Sequence, residues 1–133
     1  MDVKELALTA IKAMNAAYAP YSGYRVGAAL LTASGRVYTG CNIENASYTP
    51  TVCAERTAIF KAVSEGEREF AMLAVAGGKD GVITGVFPPC GVCRQVLAEF
   101  CSPEMPIILV KNADGNGEIH TLGELLPLSF TLK

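Results

Sequence analysis

Apolar residues Leu6, Ala7, Ala10, Ile11, Met14 and Ala17 recur on one face of a 3.6-residue period, and Asp2 followed by Glu5 has the spacing of a capping box. This pattern predicts an amphipathic helix over 3–18, stopped by Pro20 and Gly23. Two β-rich runs, 26–32 and 37–42, flank the turn Ala33-Ser34-Gly35-Arg36 and read as a hairpin. A second helical stripe, Ala54, Ala58, Ile59, Ala62 and Val63, ends near Gly66 and leads into an apolar strand over 70–76. A third helix begins near Cys90, carries Val96, Leu97 and Phe100, and stops before Pro103. A buried-type strand over 106–111, a turn over 112–117, a short edge strand over 119–121 and a helical turn over 122–126 complete the chain.

The predicted order is α-β-β-α-β-α-β-β-α, with two successive β-α-β units in the middle. Such crossovers are almost always right-handed, so two of them advancing the same way lay both helices on one face of the sheet. The helices that begin near Cys53 and Cys90 are therefore expected to be neighbours. Their N-termini are expected at the carboxyl ends of the preceding strands, where open α/β sheets bind ligands.

The 133 residues suit one domain, residues 1–133, with one core. The net charge of −2 lacks the basic footprint of a nucleic-acid or membrane-surface binder, so neither partner is expected. Charged residues make up 18% of the chain, where about 25% is usual. A small domain with that deficit is expected to cover part of its surface with another subunit. No apolar run reaches the ~18 residues of a membrane span, and the chain opens with charged Asp2, Lys4 and Glu5, so a cytoplasmic protein is expected.

Five cysteines in such a chain point to metal or redox chemistry more than to disulfides. Cys90 and Cys93 lie three apart at a helix start, so their sulfurs face one way, and Cys53 opens the neighbouring helix. Three thiolates from two helix N-termini make a tetrahedral Zn²⁺ site with one position left for chemistry, and helix N-termini favour the thiolate form. A redox pair Cys90/Cys93, or a structural zinc completed by Cys41 or Cys101, are the other readings; Cys41 and Cys101 otherwise read as packing residues, and His120 as a surface residue. Glu55, on the first turn after Cys53, has the reach to exchange protons beside the open metal position. Asn42 and Glu44, two apart in an extended segment, leave one face as an amide and a carboxylate suited to neighbouring hydroxyls.

The motifs C-A-E-R-T (53–57) and P-C-G-V-C-R-Q (89–95) resemble the zinc nucleoside deaminases, and G-C-N-I-E-N-A-S-Y (40–48) narrows the likeness to small cytidine deaminases. The likeness runs from Pro20-Tyr21-Ser22 to Leu125-Leu126-Pro127. It implies a three-layer α/β/α cytidine-deaminase-like fold with a mixed five-stranded sheet. It also implies zinc on Cys53, Cys90 and Cys93, with Glu55 as general acid and base: activated water adds to C4 of the cytosine, Glu55 protonates N3 and then the amino group, and ammonia leaves. Asn42 and Glu44 would then hold the ribose, Tyr24 stack near the base, Ala54 supply a main-chain contact, and Phe130 reach an adjacent subunit's site in a homotetramer. The activity implied is hydrolysis of cytidine and 2′-deoxycytidine. Alternatives are an aminohydrolase of the blasticidin-S-deaminase kind, acting on a cytosine-containing antibiotic, and a non-catalytic zinc module.

Three thiolates against Zn²⁺ leave a net −1, so compensation is expected from nearby: Arg56, Arg94 and the two helix N-termini are the candidates. Arg56 is expected to hydrogen-bond a ligand sulfur, as its counterpart in the family does. Thr49-Pro50-Thr51 and the stretch Lys79 to Gly85 depart from the family pattern and leave the loop shapes beside the site open.

Overall fold

A computed structural model describes residues 1–133. Helix α1 (Val3–Ala13) is followed by strands β1 (Tyr24–Thr32) and β2 (Val37–Cys41), helix α2 (Ala54–Ser64), strand β3 (Phe70–Lys79), helix α3 (Gly91–Phe100), strands β4 (Pro106–Val110) and β5 (Gly117–Thr121), and the one-turn helix α4 (Leu122–Leu125). The element order matches the expected one. Some boundaries move. The first helix ends at Ala13 and tightens into a 3₁₀ turn over Met14–Ala16, short of the expected 18, because the Tyr18 N–H leaves the helix to bond the Asn42 carbonyl. β1 begins two residues early, at Tyr24; β3 runs on to Lys79; and β5 starts at Gly117.

The strands form one mixed sheet in the order β2-β1-β3-β4-β5, with only β3 and β4 parallel as direct neighbours. The two middle connections behave differently: β3-α3-β4 joins adjacent strands, whereas β2-α2-β3 steps over β1. Both helices nonetheless lie on one face. Ala54, Ala58, Ile59 and Ala62 of α2 and Leu97 of α3 pack there with Val26, Ala28 and Leu30 of β1, Leu73 and Val75 of β3, and Ile107 and Leu109 of β4. The alternate residues Ala29, Leu31, Ala74, Ala76, Ile108 and Val110 point the other way and pack on Leu6, Ala7 and Ala10 of α1 and on Met14 of the 3₁₀ turn that follows it. The result is a three-layer α/β/α domain, with each central strand apolar on both sides, as strands buried on both faces must be.

Two glycines set how closely the layers approach. A Cβ on Gly27 would lie 2.1 Å from the Ala10 carbonyl oxygen of α1, and a Cβ on Gly40 would lie 2.4 Å from the Ala54 carbonyl oxygen and 2.5 Å from the Ala58 nitrogen of α2. Backbone-to-backbone contact at Gly40 thus seats the N-terminal turn of α2 directly on β2.

Candidate active site

β2 and β3 end, and β1 begins, at one edge of the sheet, with Tyr24 paired to Lys79. The N-termini of α2 and α3 open at that edge. Cys53 is the N-cap of α2 and Cys90 the N-cap of α3, and neither helix has a side-chain cap. Cys93 stands one turn into α3 and is buried. The sulfurs of Cys53 and Cys90 are 3.9 Å apart, those of Cys90 and Cys93 are 3.5 Å apart, and all three lie within 4.8 Å of one another. Four ligands arranged tetrahedrally at a Zn–S distance of about 2.3 Å have edges of roughly 3.8 Å. The three sulfurs therefore match one triangular face of a zinc coordination shell, and the donor set is that of zinc.

The three thiols are not electrostatically equivalent. The Cys53 thiol is pulled well down, first by the hydrogen bond from Cys93 and then by Arg56, while the same shared proton and burial push Cys93 up. Arg56 Nη2 donates to Cys53 Sγ at 3.2 Å, so the arginine-to-sulfur contact expected from the sequence is present. Arg94 is different. Its Nε donates to the Pro89 carbonyl (2.7 Å) and its Nη1 to the Leu125 carbonyl (2.6 Å), tying the approach to α3 to the end of α4. Its guanidinium is spent on these two carbonyls and not on a ligand sulfur, which corrects its candidacy as a charge partner. On a helix, side chains three apart share a face and adjacent ones do not, so Arg56 meets Cys53 while Arg94 turns away from Cys93.

Glu55 is only 4% exposed. Burial, reinforced by the negative charge of Cys53, pushes its carboxyl up to about 7, a value suited to taking and returning a proton near neutrality. It lines a cleft of about 280 Å³ together with Cys53, Ala54 and Cys90. Ser22, Asn42, Glu44 and Thr51 supply further polar groups to the same cleft, and Tyr24, Val26, Val52 and Phe87 supply apolar ones.

The segment 42–44 is held between two others: Tyr18 and Asn42/Glu44 exchange backbone bonds on one side, Ile43 and Val52 on the other. Asn42 donates from Nδ2 to the Tyr24 carbonyl (2.7 Å) and accepts the Val26 N–H at Oδ1 (2.9 Å). Glu44 Oε1 accepts from the N–H groups of Tyr21 (2.9 Å) and Ser22 (3.1 Å), and its Oε2 accepts from the Ser22 hydroxyl. That hydroxyl, with the two N–H groups, holds the Glu44 carboxyl below its usual range. An ionised carboxylate offers about four acceptor positions and an amide two donors, so each side chain keeps capacity for a ligand after these bonds.

Ser22 and Phe87 were not singled out from the sequence. Ser22 fixes Glu44, and its signal was only its place in Pro20-Tyr21-Ser22; Phe87 reaches the cleft from three residues before Cys90. Phe130 is 67% exposed and lies outside the cleft of its own chain, with its carbonyl accepting from Gln95 Nε2 at 3.0 Å. The stretch Thr49-Pro50-Thr51 closes a compact turn in which Thr51 Oγ1 accepts the Asn45 N–H (3.0 Å). The stretch from Lys79 makes a tight reversal, in which a Cβ at position 78 would collide with the Val82 carbonyl oxygen, and is pinned to the cleft rim by Lys79 Nζ donating to the Ser22 carbonyl (2.8 Å).

This constellation has counterparts. Residues 1–109 match the family model described as the cytidine and deoxycytidylate deaminase zinc-binding region. The chain belongs to that family. It is 51% identical to a cytidine deaminase of Sporosarcina psychrophila over 98% of this chain and 93% of that protein, and 49% identical to one of Halalkalibacterium halodurans over 98% and 96%. The crystal structure of cytidine deaminase from Burkholderia pseudomallei superposes with a TM-score of 0.89 at 45% identity, covering 98% of this chain and all of that one. The Cys53, Cys90 and Cys93 cluster is consistent with the zinc of that family and could hold it, and the three-layer fold is that of the family.

Proposed function

We propose that this protein catalyses the hydrolytic deamination of cytidine and 2′-deoxycytidine to uridine and 2′-deoxyuridine, with release of ammonia, as a pyrimidine-salvage reaction. One observation carries the reading: a buried carboxyl, Glu55, and the convergent sulfurs share one cleft with Asn42 and Glu44.

Cys53, Cys90 and Cys93 would hold zinc, which supplies the Lewis acidity that makes water nucleophilic near neutral pH. Glu55 takes a proton from the attacking water and passes it to N3 of the cytosine, which makes C4 electrophilic. It then carries the second water proton to the exocyclic amino group, so that the C4–N bond breaks and ammonia departs. The carboxyl's position near pH 7 lets it act in both directions without a large energetic penalty. Asn42 and Glu44 orient the sugar hydroxyls, Tyr24 lies along the base, and the Ala54 backbone at the uncapped start of α2 contacts the pyrimidine edge.

A neutral sugar suits a rim whose fixed charge is the Glu44 carboxylate. One lysine, Lys79, stands there, and it is committed to the Ser22 carbonyl. Nucleosides are therefore preferred over 5′-nucleotides. We also infer a homotetramer in which Phe130 completes a neighbouring subunit's cleft: the exposed Phe130, with exposed Leu128 and Leu132 beside it and the low share of charged residues, supports a covering subunit.

The test is a UV absorbance assay with cytidine, 2′-deoxycytidine and their 5′-monophosphates, joined to zinc analysis and light scattering of the purified protein. Turnover of both nucleosides is expected, and Glu55→Ala should keep its zinc while losing roughly 10²- to 10⁴-fold in rate. Full turnover by that variant overturns the mechanism, and zinc binding without any deamination by the wild type leaves a purely structural metal site.

A further inference from the structure

We propose that Phe87 is a second aromatic wall for the base, seated on Gly77, and that this pair sets how tightly the cleft grips the pyrimidine ring. The proposal rests on the reading of the cleft as a cytidine site.

The cleft is lined by two polar groups, the sulfurs with Glu55 and the hydrogen-bonded Ser22-Glu44 pair with Asn42, and by apolar side chains that include Tyr24, Val26 and Phe87. A pyrimidine has polar edges and apolar faces, so the faces of its ring belong against that apolar lining. Phe87 lies there, half-buried, with its ring centroid 6.0 Å from that of Tyr24 and the two ring planes 38° apart. That separation is too small to admit a base between the rings. They instead form one continuous, slightly folded surface against which a base face can lie.

The seat beneath Phe87 is specific. A Cβ on Gly77 would stand 3.0 Å from Phe87 Cγ, 3.2 Å from its Cδ1 and 3.0 Å from Val26 Cγ2. Gly77 does not adopt a positive φ, so its missing side chain answers the need for space and not a turn. A side chain at position 77 requires the Phe87 ring or Val26 to give way. Phe87 is also joined to the zinc ligand Cys90 through Pro88 and Pro89, whose fixed φ angles leave that link little freedom. The surface that receives the base face is thereby held in register with the sulfurs that receive its reacting carbon. Tyr24 lacks this coupling: it is 44% exposed, and its ring carries Lys79 Nζ 5.2 Å from the centroid.

Stacking of a base on an aromatic side chain acts on bound substrate and transition state alike, so its loss raises KM more than it lowers kcat. The experiment measures kcat, KM, inhibition by uridine and zinc content for the wild type and for Phe87→Ala, Phe87→Leu, Gly77→Ala and Gly77→Ala/Phe87→Ala. Phe87→Ala should raise KM for cytidine about tenfold, with the inhibition constant of uridine rising in parallel and zinc retained. Phe87→Leu, which keeps apolar bulk and guards against a folding defect in the alanine variant, should show a smaller rise. Gly77→Ala should raise KM in the wild-type background and add little once the ring is gone. KM within about twofold of wild type in Phe87→Leu and Phe87→Ala, whatever their thermal stability, overturns the proposal, as do independent, multiplying effects of the Gly77 and Phe87 changes. Absence of cytidine turnover in the wild type itself removes the functional reading on which the proposal stands, and is a separate result from either of these.

Discussion

The helices at the two ends of the chain begin in one way and the two in the middle begin in another. α1 opens with a reciprocal cap, Asp2 accepting the Glu5 N–H (2.8 Å) while Glu5 accepts the Asp2 N–H (3.0 Å), and α4 repeats the device with Thr121 and Glu124. α2 and α3 place a cysteine at the same position and have no side-chain cap. A capping side chain uses up the free N–H groups of the first turn and settles the helix locally. Where the cap is a thiol, the partial positive charge of the helix end remains to stabilise a thiolate and the charge that gathers around it. The first kind of helix start serves the fold, and the second gives up local stability to serve the site.

Cys90→Ala breaks the contrast most severely. The helix loses no cap it had, so near-native secondary structure is expected by circular dichroism, yet zinc should be lost on dialysis and deamination should fall to background. Next comes Arg56→Gln. With the guanidinium gone the sulfurs hold more negative charge, and the acid that the site generates becomes weaker. The acidic limb of the kcat/KM profile should move to higher pH and activity at neutral pH should fall on the order of tenfold, with zinc retained. An acidic limb in its wild-type place, at full zinc content, removes Arg56 from that role. The smallest effect is expected at the far end of the comparison: Asp2→Ala should cost about 1 kcal/mol in chemical denaturation and leave kcat/KM unchanged.

Much of this division was legible in the sequence because it is written at short range. The capping box of α1, the i, i+3 pair Cys90 and Cys93, and Glu55 two residues after Cys53 need only helical periodicity to be placed. The alternation in β1, β3 and β4 likewise marks strands buried on both faces. Where the reading went astray, a distant partner decided. Apolar spacing carried the first helix on to 18, but the Tyr18 N–H is claimed by Asn42, 24 positions away in sequence. Arg94, next to Cys93, stands beside Arg56 among the candidates for offsetting the thiolate charge, and the carbonyls of Pro89 and Leu125 take its guanidinium. Ser22 and Phe87 became part of the cleft only when β1 and the approach to α3 met at the sheet edge.

By itself the chain's pattern determined which residues are helical, which strands are apolar on both sides, and which side chains can bind a soft cation and move protons, since these follow from periodicity and from the chemistry of sulfur and carboxyl groups. Only the tertiary structure decided that two helix starts far apart in sequence meet within one coordination shell, that Glu55 is dry enough to hold its proton to about 7, and that Phe87 rests on the bare backbone of Gly77. Proximity, desolvation and close contact depend on what the rest of the chain packs around a residue, and no local spacing encodes them.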